Sequence, residues 1–295
     1  MRTVRTVAEL REALAPHRRA GRMIGLVPTM GAFHAGHLAL MRRARADTDV
    51  VVVSLFVNPT QFRPGEDLSA YPRDEAADAA EAAALGVDLL FAPAPEEVYP
   101  AGFATDVRVG TVTEPLEGAA RGPEHFHGVT TVVTKLFNMV GPDVAYFGQK
   151  DAQQVAVIRQ LVRDLDIPVR IEICPTVREG DGLAMSSRNR YLEGAHRDRA
   201  VALSRALRAA EDAVHGGERD AATIVARARA ALAEHDVEPE YLELVSAETL
   251  APVERVGDAD VLVAVAARVG PARLIDNTIL LAAPPLSRGK SPRRQ

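Results

Sequence analysis

A single cysteine, Cys174, among 295 residues excludes an intrachain disulfide and fits a reducing compartment. No apolar run approaches the roughly 20 residues that a membrane-spanning helix needs. The N-terminal stretch MRTVRTVAELREALAPHRRAGR is too polar for a signal peptide, so a cytoplasmic protein is the expectation. A formal net charge of −5 speaks against general affinity for nucleic acid or anionic membrane. The Walker A lysine loop and the G-x-G-x-x-G fingerprint are both missing. Lysine is scarce: Lys135, Lys150 and Lys290 stand against 32 arginines. In a chain with that bias, a retained lysine points to a place where ammonium chemistry is needed.

The sequence does carry ample apolar material, 47% of residues against 25% charged, and a length that favours two unequal domains. Up to about residue 176, short apolar runs alternate with helical patterns. Strands are expected at 23–27, 49–57, 87–92, 143–147 and 169–174, and helices at 36–46, 74–85, 129–140 and 151–165. The run DVVVVSLFV is apolar throughout, as a strand covered on both faces should be. Gly141-Pro142 is a helix stop. This alternation predicts an α/β fold, a Rossmann-like parallel sheet with flanking helices and ligands beyond the carboxyl ends of the strands. From 177 to 283 the order changes to helices at 195–215 and 219–235, then strands at 240–246, 260–268 and 272–281. That order predicts a smaller C-terminal α+β domain. The tail 284–295, PPLSRGKSPRRQ, reads as disordered.

The strongest chemical signal is PTMGAFHAGH, Pro28 to His37, between an expected strand and an expected helix. A loop there aims backbone N–H groups and the positive end of a helix dipole at a bound phosphate. Gly31 and Gly36 permit tight turns and close approach of a ligand. His34 and His37, three apart, can each offer a hydrogen bond or a proton to phosphate oxygens. Taken alone, the pair is also compatible with a surface accident, or with half of a zinc site completed by His125 and His127. Two further islands fall where such a sheet places its active edge. Gly148-Gln149-Lys150-Asp151 follows a strand and opens a helix, so that Lys150 can reach a phosphate. Met185-Ser186-Ser187-Arg188 follows the loop REGDGL at 178–183 and offers two hydroxyls and a guanidinium to a polyphosphate.

Together with SLFVNPTQF at 54–62, YPR at 71–73, FHGVTTVV at 126–133, YFGQKDAQQ at 146–154 and MSSRNRYL at 185–192, these motifs resemble the pantothenate synthetase (pantoate–β-alanine ligase) family of the H-x-G-H nucleotidyltransferase superfamily. The resemblance covers roughly residues 3–283. It implies that pantoate attacks the α-phosphorus of ATP to give pantoyl-adenylate and pyrophosphate, after which β-alanine attacks the acyl carbon to give pantothenate and AMP. It implies an ATP cradle of Met30, Gly31, Ala32, Phe33, His34, Ala35, Gly36 and His37, in which His37 is a proton donor in many members. Gly148, Gln149, Lys150, Asp151, Val177, Met185, Ser186, Ser187 and Arg188 match the remaining ATP contacts. Gln61 matches a contact to pantoate and β-alanine, Gln154 a contact to pantoate, and Asp78 a position close to magnesium. Mg²⁺ and a homodimer formed through the N-terminal domain are further implications. A different H-x-G-H nucleotidyltransferase would share the histidine loop without needing the glutamine pair.

The chemistry expected from these residues needs no nucleophilic side chain, because the substrate carboxylate is the nucleophile. His34, His37, Lys150, Ser186, Ser187 and Arg188 are the catalytic candidates, aligning the phosphates and offsetting their charge. The histidines are read as holding phosphate charge more than moving protons. Protecting an adenylate from water requires closure, expected over residues 60–75 or 178–190.

Overall fold

A computed structural model of the chain describes residues 1–62, 68, 69 and 71–280. Six parallel strands form the first sheet: β1 (Arg2–Val4), β2 (Ile24–Thr29), β3 (Val50–Leu55), β4 (Leu89–Phe91), β5 (Val144–Gly148) and β6 (Arg170–Cys174). Their spatial order is β1-β4-β3-β2-β5-β6, and every pairing is parallel. The helices of this half are α1 (Val7–Arg19), α2 (Ala35–Asp47), α3 (Glu75–Ala84), α4 (Pro95–Val98), α5 (Glu117–Arg121), α6 (Pro123–Val140) and α7 (Ala152–Asp164).

Strand alternation explains why these runs are apolar throughout. Ile24, Leu26, Val50, Val52, Leu89, Phe91, Ala145 and Phe147 enter one core with Leu10 and Leu14 of α1 and the apolar faces of α6 and α7. Their neighbours Val27, Val51, Val53, Leu90, Val144 and Tyr146 enter a second core with Leu40, Met41 and Ala44 of α2 and Ala82 of α3. Successive side chains point to opposite faces, so a strand buried on both faces has no polar positions left.

The second half contains α8 (Gly194–Ala200), α9 (Ala202–His215) and α10 (Ala221–Ala233), then β7 (Pro239–Ser246), β8 (Val261–Val269) and β9 (Ala272–Leu280). The three strands are antiparallel in the order β7-β8-β9. One sheet face packs Val263, Val265 and Leu274 under α9 and α10. The other turns Val245, Leu262 and Ala264 to the large core of the first half. The β8–β9 turn needs Gly270 twice over: its φ is +57°, and a Cβ would lie 2.6 Å from the His196 ring.

The expected strands and helices are present, with shifted ends and additions. No element is expected before residue 23, yet β1 and α1 stand there. Thr6 and Glu9 form a reciprocal capping box at the start of α1. Helix α6 begins at Pro123 instead of 129, with proline in the first turn, where its missing N–H costs nothing. It ends where expected, with Gly141 left-handed at φ +54°. The single helix expected over 195–215 is two, α8 and α9, separated at Val201. The expected tail, 284–295, and part of the expected closing segment, residues 63–67 and 70, lie outside the described residues.

Candidate active site

The strand order reverses direction between β2 and β5, so the loops leaving their carboxyl ends diverge and open a crevice. The histidine loop leaves β2. Thr29 hydroxyl donates to Ser54 O at 2.6 Å and accepts from Gly31 N at 3.3 Å, tying the loop to β3. Gly31 has φ +85°, and a Cβ there would come within 2.7 Å of Leu55 and 2.8 Å of the Asp78 carboxylate. Asp78 itself is buried in the first turn of α3 and accepts from Ala32 N at 2.9 Å and Phe33 N at 2.8 Å, one oxygen each. A single carboxylate thus holds the turn that presents His34.

His34 is the N-cap of α2, and its Nδ1 accepts from Gly36 N at 3.1 Å. The neutral ring therefore carries its proton on Nε2. A Cβ on Gly36 would lie 2.8 Å from the His34 ring, so glycine is required for this cap. One turn later the His37 ring lies beside it, tilted by 43° with centroids 4.2 Å apart, and among the described residues its buried Nδ1 has no hydrogen-bond partner. Burial, and then the nearby Lys150 ammonium, push the His34 pKa down to about 4. Burial, the neighbouring His34 and Lys150 push His37 down to about 3. Both rings are neutral at pH 7 in the ligand-free site, so they act there as hydrogen-bonding groups and not as cations.

Gln61 closes a short 3-10 turn, Pro59–Gln61, after β3. Buried Asn58 donates to Gln61 Oε1 and to Gly128 O, each at 3.1 Å, and accepts from Tyr99 hydroxyl at 2.8 Å. With its oxygen held, Gln61 turns Nε2 to Met30 Sδ at 2.9 Å. Gly128 allows α6 to touch this turn, since a Cβ would lie 2.4 Å from Thr60 O. His125 Nδ1 lies 3.0 Å from Gln61 O, a pure acceptor, so Nδ1 donates and Nε2 is left to accept from Arg121 at 3.1 Å.

From the other side of the switch point, Gln149–Asp151 forms one 3-10 turn that leads into α7. The Lys150 Nζ is 3.7 Å from Asp151 Oδ1. Gln154 follows in the first turn of α7. Met185 N donates to Val177 O at 2.9 Å, closing a hairpin from which Ser186 caps a 3-10 turn by accepting from Arg188 N at 3.3 Å.

These loops enclose a cleft of about 250 Å³ lined by Met30, His34, Gly36, His37, Gln61, Gly148, Lys150, Asp151, Gln154, Val177, Met185, Ser186, Ser187 and Arg188. It adjoins a cavity of about 420 Å³ against β9, with Lys150, Asp151, Gln154, Ser186 and Arg188 on both walls. Gly31, Ala32, Phe33, Ala35 and Gln149 belong to the same loops but do not line the cleft. Asp78 is not brought to it either: it lines a separate cavity on the other side of the histidine loop. Among the described residues, no group of three His, Cys, Asp or Glu is placed to hold a metal ion, so His125 and His127 complete no zinc site with the histidine loop.

Residues that the motif reading passed over also shape the site. Asn58 and Thr29 sit inside quoted motifs but signal nothing by spacing. Glu117 is buried and accepts both Arg273 nitrogens and the Tyr241 hydroxyl, all at 2.8 Å, joining α5 to β7 and β9. Burial alone would raise the Glu117 pKa; the Arg273 guanidinium outweighs that and holds it below the usual carboxylate range. Nothing local in the sequence marks Glu117 and Arg273 as partners, 156 positions apart.

The model for the family "Pantoate-beta-alanine ligase" matches residues 2–279. Pantothenate synthetase 1 of Bradyrhizobium diazoefficiens is 56% identical over 284 residues, covering 95% of this chain and 98% of that protein. Pantothenate synthetase of Moorella thermoacetica is 53% identical over 282 residues, covering 95% and 99%. The crystal structure of pantothenate synthetase from Thermus thermophilus superposes with a TM-score of 0.88 at 50% identity, covering 94% of this chain and 99% of that one. That of pantoate-beta-alanine ligase from Francisella tularensis, complexed with beta-gamma ATP and beta-alanine, gives 0.77 at 32% identity, covering 95% and 97%. With its six-stranded parallel sheet, its separate three-stranded sheet and the motif loops gathered at one switch point, the chain belongs to the pantoate–β-alanine ligase family.

Proposed function

We propose that this chain condenses pantoate with β-alanine to pantothenate at the expense of ATP, through a pantoyl-adenylate. The observation that carries the reading is the convergence of His34, His37, Gln61, Lys150, Gln154, Ser186, Ser187 and Arg188 on one cleft at the switch point. In the first step a pantoate carboxylate oxygen attacks the α-phosphorus of ATP and the bond to the bridging oxygen of pyrophosphate breaks. In the second the β-alanine amine attacks the acyl carbon, AMP leaves with the acyl oxygen, and the amine loses a proton.

The residues divide this work by their chemistry. Lys150 and Arg188 bring fixed positive charge to the triphosphate, and Ser186 and Ser187 bring hydroxyl donors. His34 and His37 donate N–H bonds from neutral rings; contact with a polyphosphate favours the protonated form and raises their pKa on binding. Met30 to Gly36 supplies the backbone at the start of α2, where the helix dipole favours an anion. Gln61 and Gln154 hold pantoate, a substrate with two hydroxyls and a carboxylate for amides to bond, and Gln61 borders the place for the amine. Residues 1–176 carry these ATP and pantoate contacts, and 177–283 serve as the lid that brings Met185–Arg188 over them.

Mg²⁺ fits this arrangement as an ion carried mainly by the ATP phosphates, where it neutralises developing charge. Asp151, beside Lys150 in the cleft, is the available carboxylate; Asp78 has both oxygens engaged by Ala32 and Phe33 N–H and braces the loop instead. A homodimer through residues 1–176 belongs to the same proposal and is checked by light scattering.

Labelled pyrophosphate should exchange into ATP when pantoate is present and β-alanine is withheld. A folded enzyme that makes pantothenate without supporting this exchange would overturn the adenylate route.

A further inference from the structure

We propose that Asn277, on the edge strand β9, is a positioning residue that sets the Lys150 turn for adenylate formation. This rests on the reading of Lys150 as a phosphate-binding lysine. The turn Gln149–Asp151 has little to hold it from its own side. Among the described residues no side chain caps the 3-10 turn or the start of α7, and Gly148 before it has open space where a Cβ would be. Asn277 reaches across from the C-terminal sheet instead. Its Nδ2 donates to Gln149 O at 3.0 Å and to Lys150 O at 2.9 Å, and its Oδ1 accepts from Gln149 Nε2 at 3.0 Å. Both amide hydrogens and the amide oxygen are engaged on two consecutive residues of one turn. The residue is 5% exposed, so water cannot readily replace those bonds.

The next residue back does the corresponding work for the other phosphate loop. Asp276, 3% exposed, takes Arg178 in a two-pronged ion pair at 2.6 and 3.0 Å, and Arg178 donates to Gly182 O at 3.0 Å. That braces the hairpin whose far strand delivers Met185 to Arg188. Neighbours on a strand face opposite sides. In register, Asn277 lies opposite Ala264, whose face meets the large core, and Asp276 opposite Val265, whose face meets the helices α9 and α10. Because β9 is an edge strand, a loop can pass over each face, and two adjacent residues grip two different loops. Lys150 and Arg188, 38 positions apart by their numbering, thereby share a spacing set by one peptide unit of β9.

The test compares Asn277→Asp, Asn277→Ala and Asn277→Ser by pantoate-dependent pyrophosphate exchange, each alone and combined with Lys150→Ala. Asn277→Asp keeps the shape but faces carboxylate oxygens to two carbonyls. On the order of a 10-fold loss in kcat and a raised ATP KM are expected for it, as when buried donors are lost, with pantoate KM unchanged. Asn277→Ser, which keeps one donor, should lose less than Asn277→Ala. In the Lys150→Ala background the same Asn277 substitutions should cost less than about 3-fold, because residues acting as a unit are not additive. Equal losses in both backgrounds, or a folded Asn277→Ala with the parent's kcat and ATP KM, would overturn the proposal. The two uncharged variants carry the test if the Asp variant does not fold. Full exchange by Lys150→Ala alone would instead remove the reading on which it rests.

Discussion

Burial sets the protonation of His34 and His37 before any ligand arrives. Their pKa values, about 4 and about 3, lie below the ordinary value of 6.5 because a charged ring would be desolvated beside Lys150. In the free protein neither ring should titrate between pH 5.5 and 8, which the imidazole proton resonances measure directly. A signal lost in His37→Gln but inflecting near pH 6.5 in the parent would refute it. The sign for stability follows from the same shifts. The unfolded chain takes up protons at these rings below pH 6.5 while the folded one does not, so stability falls as pH drops from about 6.5 toward 4. Lys150 has a different task, as the ammonium group that lines the cleft. Lys150→Ala should lower turnover by at least ~100-fold, as should His37→Ala, the usual consequence of removing a group aimed at developing charge. A rate within a few-fold of the parent in steady-state assays would take that residue out of the mechanism.

At the scale of the element, the histidine loop depends on a helix it does not belong to. Asp78, in the first turn of α3, supplies one oxygen to each of two consecutive loop N–H groups. Asp78→Asn replaces one of those acceptors with a donor. It should cost about 1–3 kcal/mol in urea unfolding, the range for an unsatisfied buried group, and raise the ATP KM. The Mg²⁺ concentration for half-maximal rate should not move. If it rises instead while stability and ATP KM hold, Asp78 is a metal ligand after all. Gly31 belongs to the same device, since its φ is +85° and a Cβ there would lie 2.8 Å from the Asp78 carboxylate, which leaves no room for a side chain.

The two halves meet through the large apolar core, which Val245, Leu262 and Ala264 enter, and through polar contacts that gather on the C-terminal sheet. Glu117 bonds Arg273 of β9 and Tyr241 of β7 and Asn277 bonds the Lys150 turn, while Asp276 bonds Arg178 within the second half. The second sheet is therefore part of the scaffold of the cleft at the switch point. Glu117→Ala would leave the mostly buried Arg273 without this partner. Because Arg273 keeps Glu240 at 2.7 Å, a loss of about 1–3 kcal/mol is expected in denaturant unfolding, with Glu117→Gln losing less because it still accepts from Tyr241. Indistinguishable unfolding midpoints for parent and Ala variant would show that the pair contributes little.

The fold class was legible because it rests on local signals. The all-apolar run at Val50–Val53, the Gly141-Pro142 stop and the change of order after Cys174 each follow from what a strand or helix must bury. Members of the site were legible where a motif is contiguous, as in PTMGAFHAGH. What the sequence left open is pairing at a distance. No spacing says that Asp78 turns away from the cleft to the histidine loop, that Asn58 reaches Gly128 of α6 across 70 positions, or that burial keeps both histidines neutral. Hydrogen bonds and desolvation depend on neighbours in space, which strand order decides: it brings β2 beside β5, and β9 against the turn between β5 and α7. The sequence by itself determined most of the strands and helices and which motif loops meet at the cleft. Tertiary structure alone decided how those loops are braced, because the groups that hold them, Asp78 on Ala32 and Phe33 and Asn277 on Gln149 and Lys150, lie tens of residues or more away in the chain.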